Sequence, residues 1–310
     1  MSSPVIRIHV GAHKTATTYI QDTLALNQAA SAAAGTATWT RAQFRPALAA
    51  AITAQREKQR TRTAYLKPSL GQRCEETVDA LRGFFEVDRD VTISEENLLG
   101  YPKDSWSGTI YPRASETLDL LSPALEGRRV EIYLAVRSYP AFISSLYGEA
   151  LQQGNHRPIE SYKRMHRSAD GLWPRVVETL QGAFPDSCIT VWQYEDFARL
   201  EPEVLGRLSG LARDAIIKPA QTDILPSASA QAIEEYAQTA ADMPRSQRQF
   251  HMLALRHKHP KSGPNAAFSL WNDAEAAALR DEYEADLARI KTVDAVEFLN
   301  GNSTALDSAR

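Results

Sequence analysis

The sequence lacks most of the features that settle a protein's class at a glance. Only two cysteines, Cys74 and Cys188, stand among its 310 residues. They are too few for a disulfide framework and too isolated for a zinc cluster, which needs several ligands at short spacing; both read as buried thiols. No apolar run approaches the ~18 residues that span a bilayer, and the start, Met1-Ser2-Ser3-Pro4 into Val5, has no charged and apolar export regions. A cytoplasmic chain with no membrane span is the default expectation. Charge of one sign is also lacking: 35 Lys and Arg against 38 Asp and Glu leave a net −3. That balance excludes a chain-wide surface for nucleic acid or another polyanion, so any anion site must be local. Internal repeats and low-complexity linkers are missing too, so residues 1–310 read as one domain.

What is present is ordinary globular material, 43% hydrophobic and 24% charged, in a length that suits one large α/β domain. Four short β-branched or apolar runs stand out: Val5 to Val10, Val91 to Ser94, Val130 to Val136 and Ile189 to Gln193. Stretches with helical periodicity separate them, among them Thr17 to Ala30, Pro140 to Gln152 and Leu172 to Ala183. Alternating strands and helices predict parallel βαβ units: a three-layer sandwich with a central, mostly parallel sheet flanked by helices. The first and third runs are the most continuously apolar and are expected at its centre. Residues 41–73 form a basic helical insertion with eight Lys or Arg and one acid, Glu57. It reads either as a solvated helical face or as a surface that helps hold an anionic acceptor. A C-terminal helical region is expected over 227–292, closing on an amphipathic helix with Leu279, Tyr283, Leu287 and Ile290 on one stripe.

The first strand runs directly into Gly11-Ala12-His13-Lys14-Thr15-Ala16-Thr17-Thr18 and then into a helical pattern. A small-residue turn, a lysine, hydroxyls and a helix N-terminus together make an anion cradle, because backbone N–H groups and the positive end of the helix dipole converge there. Thr17 and Thr18 could cap the helix, donate to phosphate oxygens, or both. Its plainest alternative is a strand-to-helix turn capped by threonine. The nucleotide-loop pattern GxxxxGK[ST] is missing, since Gly11 lies three residues before Lys14 and no glycine immediately precedes that lysine.

Lys14-Thr15-Ala16-Thr17-Thr18 resembles the loop of the sulfotransferases that use 3′-phosphoadenosine 5′-phosphosulfate (PAPS), which reads lysine, a small or hydroxyl residue, glycine, threonine, threonine. Ala16 replaces the glycine. If that position is already helical, alanine costs nothing, and that is the expectation here; if it needs positive φ, alanine costs about 1 kcal/mol or more. Three later stretches follow the same family in order. Arg137 and Ser145 match the arginine and serine, eight residues apart, that grip the nucleotide's 3′-phosphate; Ser144 is the adjacent alternative. Glu95 and Glu96, after the second run, fall where the family keeps its general base, with Glu96 the first choice. Tyr194-Glu195-Asp196 matches a late signature, with Tyr194 near the adenine and both acids structural. More weakly, Lys261 and Gly263 are similar to the family's basic lid over the nucleotide.

The resemblance implies a fold like that of the P-loop nucleoside triphosphate hydrolases. It also implies sulfuryl transfer from PAPS to an acceptor hydroxyl, carbohydrate-like or on a small metabolite, with 3′,5′-adenosine bisphosphate (PAP) as product and no metal. Lys14 would neutralise charge on the leaving oxygen. A glutamate whose pKa is raised by burial would take the acceptor's proton. His9 reads as a core or supporting residue, and His13 as exposed enough to touch a ligand. The competing readings are an ATP-dependent kinase on the same scaffold and a noncatalytic nucleotide- or glycan-binding relative.

Overall fold

The computed structural model describes residues 3–60, 68–220, 227–261 and 267–300. Six strands among them, β1 (Val5–His9), β2 (Thr36–Trp39), β3 (Asp90–Ser94), β4 (Arg129–Val136), β5 (Cys188–Gln193) and β6 (Val296–Phe298), form one sheet in the order β2-β3-β1-β4-β5-β6. Every pairing is parallel. The helices are α1 (Thr17–Leu26), α2 (Gln28–Ala33), α3 (Arg41–Arg60), α4 (Pro68–Arg82), α5 (Ala114–Leu121), α6 (Tyr139–Gln152), α7 (Ile159–Met165), α8 (Leu172–Ala183), α9 (Phe197–Ser209), α10 (Ala230–Thr239), α11 (Arg245–Lys258) and α12 (Asp273–Lys291). The result is an α/β three-layer sandwich with an all-parallel sheet, whose central pair is β1 and β4 as the sequence predicts.

Strand alternation divides the core in two. Along β4, Ile132, Leu134 and Val136 enter a large cluster with α3, α4, α5, α6, α8 and α12, whereas Tyr133 and Ala135 enter a smaller one with Ile20 and Leu24 of α1 and Val204 and Leu208 of α9. Both faces are therefore covered, which is why the strands read as near-continuous apolar runs. The crossover after β1 begins with α1 on the smaller core, and the one from β3 to β4 carries α5 on the larger core. The direction of winding thus reverses beside β1, and a crevice opens beyond the carboxyl ends of the central strands.

Several details depart from the sequence reading. Both edge strands, β2 and β6, are additional; they have four and three residues, too short for a clear signal. The helix expected over Thr17 to Ala30 breaks at Asn27, whose amide donates to the Thr23 and Ile217 carbonyls at 2.8 and 2.7 Å and accepts from the Ile217 N–H at 2.9 Å. Cys74 is buried as expected, but Cys188 is exposed, because it opens β5 at the edge of the covering layers. In α12 the expected stripe is buried beside Asp286, which accepts from the Tyr139 hydroxyl at 2.5 Å and the Gly171 N–H at 2.8 Å, pinning the starts of α6 and α8 together. Among the described residues no helix is long and apolar enough to cross a membrane.

Two fully buried histidines tie this packing to pH. His166 meets the Ser105 carbonyl through Nε2 at 2.8 Å, and His9 meets the Ser94 hydroxyl through Nδ1 at 2.7 Å. Burial lowers both pKa values to about 4, against opposing help from the Ser105 carbonyl and the Glu96 charge respectively. The unfolded chain takes up these protons near pH 6.5 and the native one only near 4. Stability should therefore fall as pH drops through that window, by up to about 3 kcal/mol per histidine. Denaturant titrations at pH 7.5 and 4.5 check this: His166→Gln should lose less stability on acidification than wild type, and equal losses would contradict the assignment.

Candidate functional site

Four strand ends converge on one cleft of about 470 Å³. The loop after β1 brings His13, Lys14, Ala16, Thr17 and Thr18; the turn after β3 brings Glu96; the end of β4 brings Arg137; and the end of β5 brings Tyr194. Helix α6 lays Ser144, Ser145 and Glu149 along one wall, and Lys261 lines the rim. Gly263 lies outside the described residues.

The loop is built on left-handed backbone. Gly11 has φ +56°, and a Cβ there would come within 2.8 Å of the Thr17 hydroxyl. Lys14 and Ala16 have φ of 66° and 64° although both carry a Cβ. The expectation that Ala16 is already helical is thus overturned: it precedes α1 as its N-cap in the left-handed region, where a non-glycine residue costs about 1–2 kcal/mol. Thr15 between them lies on the negative side, so φ alternates in sign along the loop, as it does in backbone nests that receive anions. Tyr111, the remaining non-glycine with positive φ among the described residues, also belongs here: its hydroxyl accepts the His13 N–H at 2.8 Å. Neither threonine caps α1. The Thr17 hydroxyl donates back to the Ala12 carbonyl at 3.1 Å, as does that of Thr15 at 2.6 Å, while Thr18 has no hydrogen-bond partner among the described residues.

Arg137 is the cation that holds the site together. It donates through Nη1 to the Lys14 carbonyl at 2.7 Å, and its guanidinium lies 4.7 Å from the centre of the Tyr194 ring. One face of Tyr194 is therefore occupied by Arg137, a contact the sequence reading does not foresee. The Arg137 Nε is buried without a partner among the described residues. Burial lowers the pKa of this side chain, with only partial relief from Tyr194 and Glu195, yet a guanidinium stays charged. Of the two serines, Ser144 is committed, donating to the Pro140 carbonyl at 2.7 Å and accepting from the Leu270 N–H at 3.1 Å. Ser145 has no partner among the described residues and faces the cleft. Lys14 reaches Glu149 at 3.3 Å. Glu195 is structural as expected, accepting the Ser138 N–H at the start of α6 at 3.0 Å.

Glu95 and Glu96 separate clearly. Glu95 is fully buried and bidentate to Arg45, at 2.7 and 2.8 Å, and does not line the cleft; burial raises its pKa against Arg45. Glu96 does line it, but its oxygens are held by Arg45 at 2.9 Å and by the Gln21 amide at 2.6 Å. Burial pushes its carboxyl up, but the neighbouring His13 and Arg45 outweigh that and hold it below the usual carboxylate range. The raised pKa expected of a base is thus found on the carboxylate that faces away. In the basic insertion, Arg45 of α3 is spent as the counter-ion of Glu95 and Glu96 and does not line the cleft. Arg62 and Lys67 lie outside the described residues. His13 lines the cleft partly buried, and burial lowers its pKa against the pull of Glu96 and Glu149. His9 stacks on Trp192 with ring centres 5.8 Å apart beneath the loop, a supporting position. Among the described residues no group of three or more His, Cys, Asp or Glu side chains could hold a metal ion.

No family model matches the chain, and neither does any curated protein.

The backbone at residue 16 yields a direct stability test. Ala16→Gly relieves the Cβ clash of left-handed geometry and should stabilise the protein by about 1 kcal/mol, net of glycine's larger unfolded-state entropy. Chemical denaturation checks it, and a destabilised variant would show that the loop is not left-handed at this residue.

Proposed function

We propose that this protein is a sulfotransferase that takes the sulfuryl group from PAPS and passes it to an acceptor hydroxyl, carbohydrate-like or on a small metabolite. The observation that carries the reading is the cleft shared by Lys14 and Arg137, where the Arg137 Nε is buried without a partner among the described residues and an unpartnered Ser145 hydroxyl lines the same cleft. A donor with phosphoryl groups on both ends of one ribose needs two cationic grips a ribose apart. The loop amides, Lys14 and Thr18 suit the 5′ side; Arg137 and Ser145 suit the 3′-phosphate, offering a planar fork and a short hydroxyl. Tyr194 backs Arg137 and so fixes the direction of that fork. Lys261, which lines the cleft and donates to the Ser227 hydroxyl at 3.0 Å, adds a further charge.

Sulfuryl transfer, like phosphoryl transfer, needs in-line placement and control of charge more than covalent help. In this reading Lys14 stabilises the oxygen on which the bisphosphate leaves, and Glu96, the carboxylate on the cleft, receives the acceptor's proton. Its low pKa keeps it ionised and available, and release from Arg45 or Gln21 on closure would raise its basicity. Glu95 holds Arg45 in place from behind.

Calorimetric titration with PAP tests the donor class directly. Wild type should bind PAP more tightly than adenosine 5′-monophosphate, and ATP with Mg²⁺ should not compete as the kinase alternative requires. Arg137→Ala should weaken PAP binding by tenfold or more while changing monophosphate binding far less; equal losses would mean that Arg137 does not read a 3′-phosphate. Turnover separates the two glutamates: Glu96→Gln should lose activity by two orders of magnitude or more with donor binding kept. Full activity in that variant would remove Glu96 as the base.

A further inference from the structure

A carboxylate on the wall of an anion-binding cleft needs an explanation. Glu149 lies one helical turn beyond Ser145 on α6, so both present to the same cleft. Its Oε2 is 3.3 Å from the Lys14 Nζ, its other oxygen is 3.5 Å from the Gln153 amide, and the charges of Arg256 and His13 also act on it. Lys14 and Glu149 side chains are 29% and 25% exposed. A single part-buried ion pair at 3.3 Å on the wall of an open cleft is screened by solvent and adds only modestly to folding, so stability alone does not account for a negative charge placed where a polyanion would bind. Its partner is informative: the Lys14 backbone is fixed by Arg137 at the carbonyl, and only the flexible side chain is free to choose between Glu149 and an anion in the loop.

We propose that Glu149 is an internal competitor for Lys14: it holds the lysine in a resting position, and the donor or its bisphosphate product must displace it. This rests on the donor reading above. Glu149 touches no reacting atom in this role. It is a positioning residue that sets where Lys14 waits and lowers the affinity of the cleft for PAP, so that the spent nucleotide leaves. An ammonium has three donors on a four-carbon stem, which lets it swing between two acceptors; a guanidinium such as Arg137, clamped at the loop carbonyl and stacked on Tyr194, cannot. The division of labour between the two cations follows from that difference.

A double-mutant cycle read by calorimetry tests it. PAP is titrated into wild type, Glu149→Gln, Lys14→Met and the double variant, with melting curves to show that each is folded. Glu149→Gln should bind PAP about tenfold more tightly than wild type. In the Lys14→Met background the same change should alter affinity less than about twofold, because no lysine remains to be released. Glu149→Asp, with a carboxylate one methylene further back, should fall between wild type and Gln. A Glu149→Gln protein that binds PAP no more tightly than a binding-competent wild type overturns the proposal. So does an equal gain with and without Lys14, which would mean simple repulsion of the ligand by Glu149. A folded wild type that binds no PAP is a different result: it sinks the donor reading, and the competitor role falls with it.

Discussion

A loop that turns left-handed at Lys14 and Ala16 is the constraint from which the rest of the site follows. Neither residue prefers that backbone, and each costs about 1–2 kcal/mol to keep there. The cost is borne because the surroundings leave the loop no alternative: Arg137 fixes the Lys14 carbonyl, Tyr111 takes the His13 N–H, and the Thr15 and Thr17 hydroxyls return to the Ala12 carbonyl. Strain held by a rigid frame fixes the loop's conformation in advance of any ligand. The frame itself is the junction of β1 and β4, the two most deeply placed strands.

Charge is arranged in two tiers around that loop. In the lower tier, Arg45 bridges Glu95 and Glu96 and offsets one of their two charges, so two adjacent acids can sit next to the loop proposed to hold anions. In the upper tier Arg137 is left short of a partner, with an aromatic face and a carbonyl in place of a carboxylate. A chain with net charge −3 can therefore present a locally cationic concavity. What matters is which cations are already spent, and the basic segment that looks most cationic in sequence contributes Arg45 as a spent one.

The four inner strands and the central pair were legible in the sequence from their apolar runs; that Lys14, Arg137, Glu96 and Tyr194 share one site was an expectation from the resemblance, helped by their places just after successive strands. The pairing of Arg45 with both glutamates was not: fifty residues separate Arg45 from Glu95, and nothing local marks either for the other. Nor was the conformation of Ala16, since an alanine carries no signature of left-handed backbone and its own preference is helix. Ser145 could be told from Ser144 only once α6 was oriented by Leu270, whose N–H occupies the Ser144 hydroxyl. Glu149 was overlooked because a carboxylate in α6 looks like any solvated helix acid until its neighbour across the cleft is known.

The exposed Cys188 has a practical corollary. It opens β5, and Tyr194 follows that strand's last residue, so the thiol sits on the opposite edge of the sheet, about 20 Å from the cleft at the rise of an extended chain. Cys74 is buried, which leaves one thiol for a maleimide-linked dye or bead, though burial and nearby acids raise its pKa and favour coupling at mildly alkaline pH. A molecule tethered there would be held by its back, with the cleft turned toward solution.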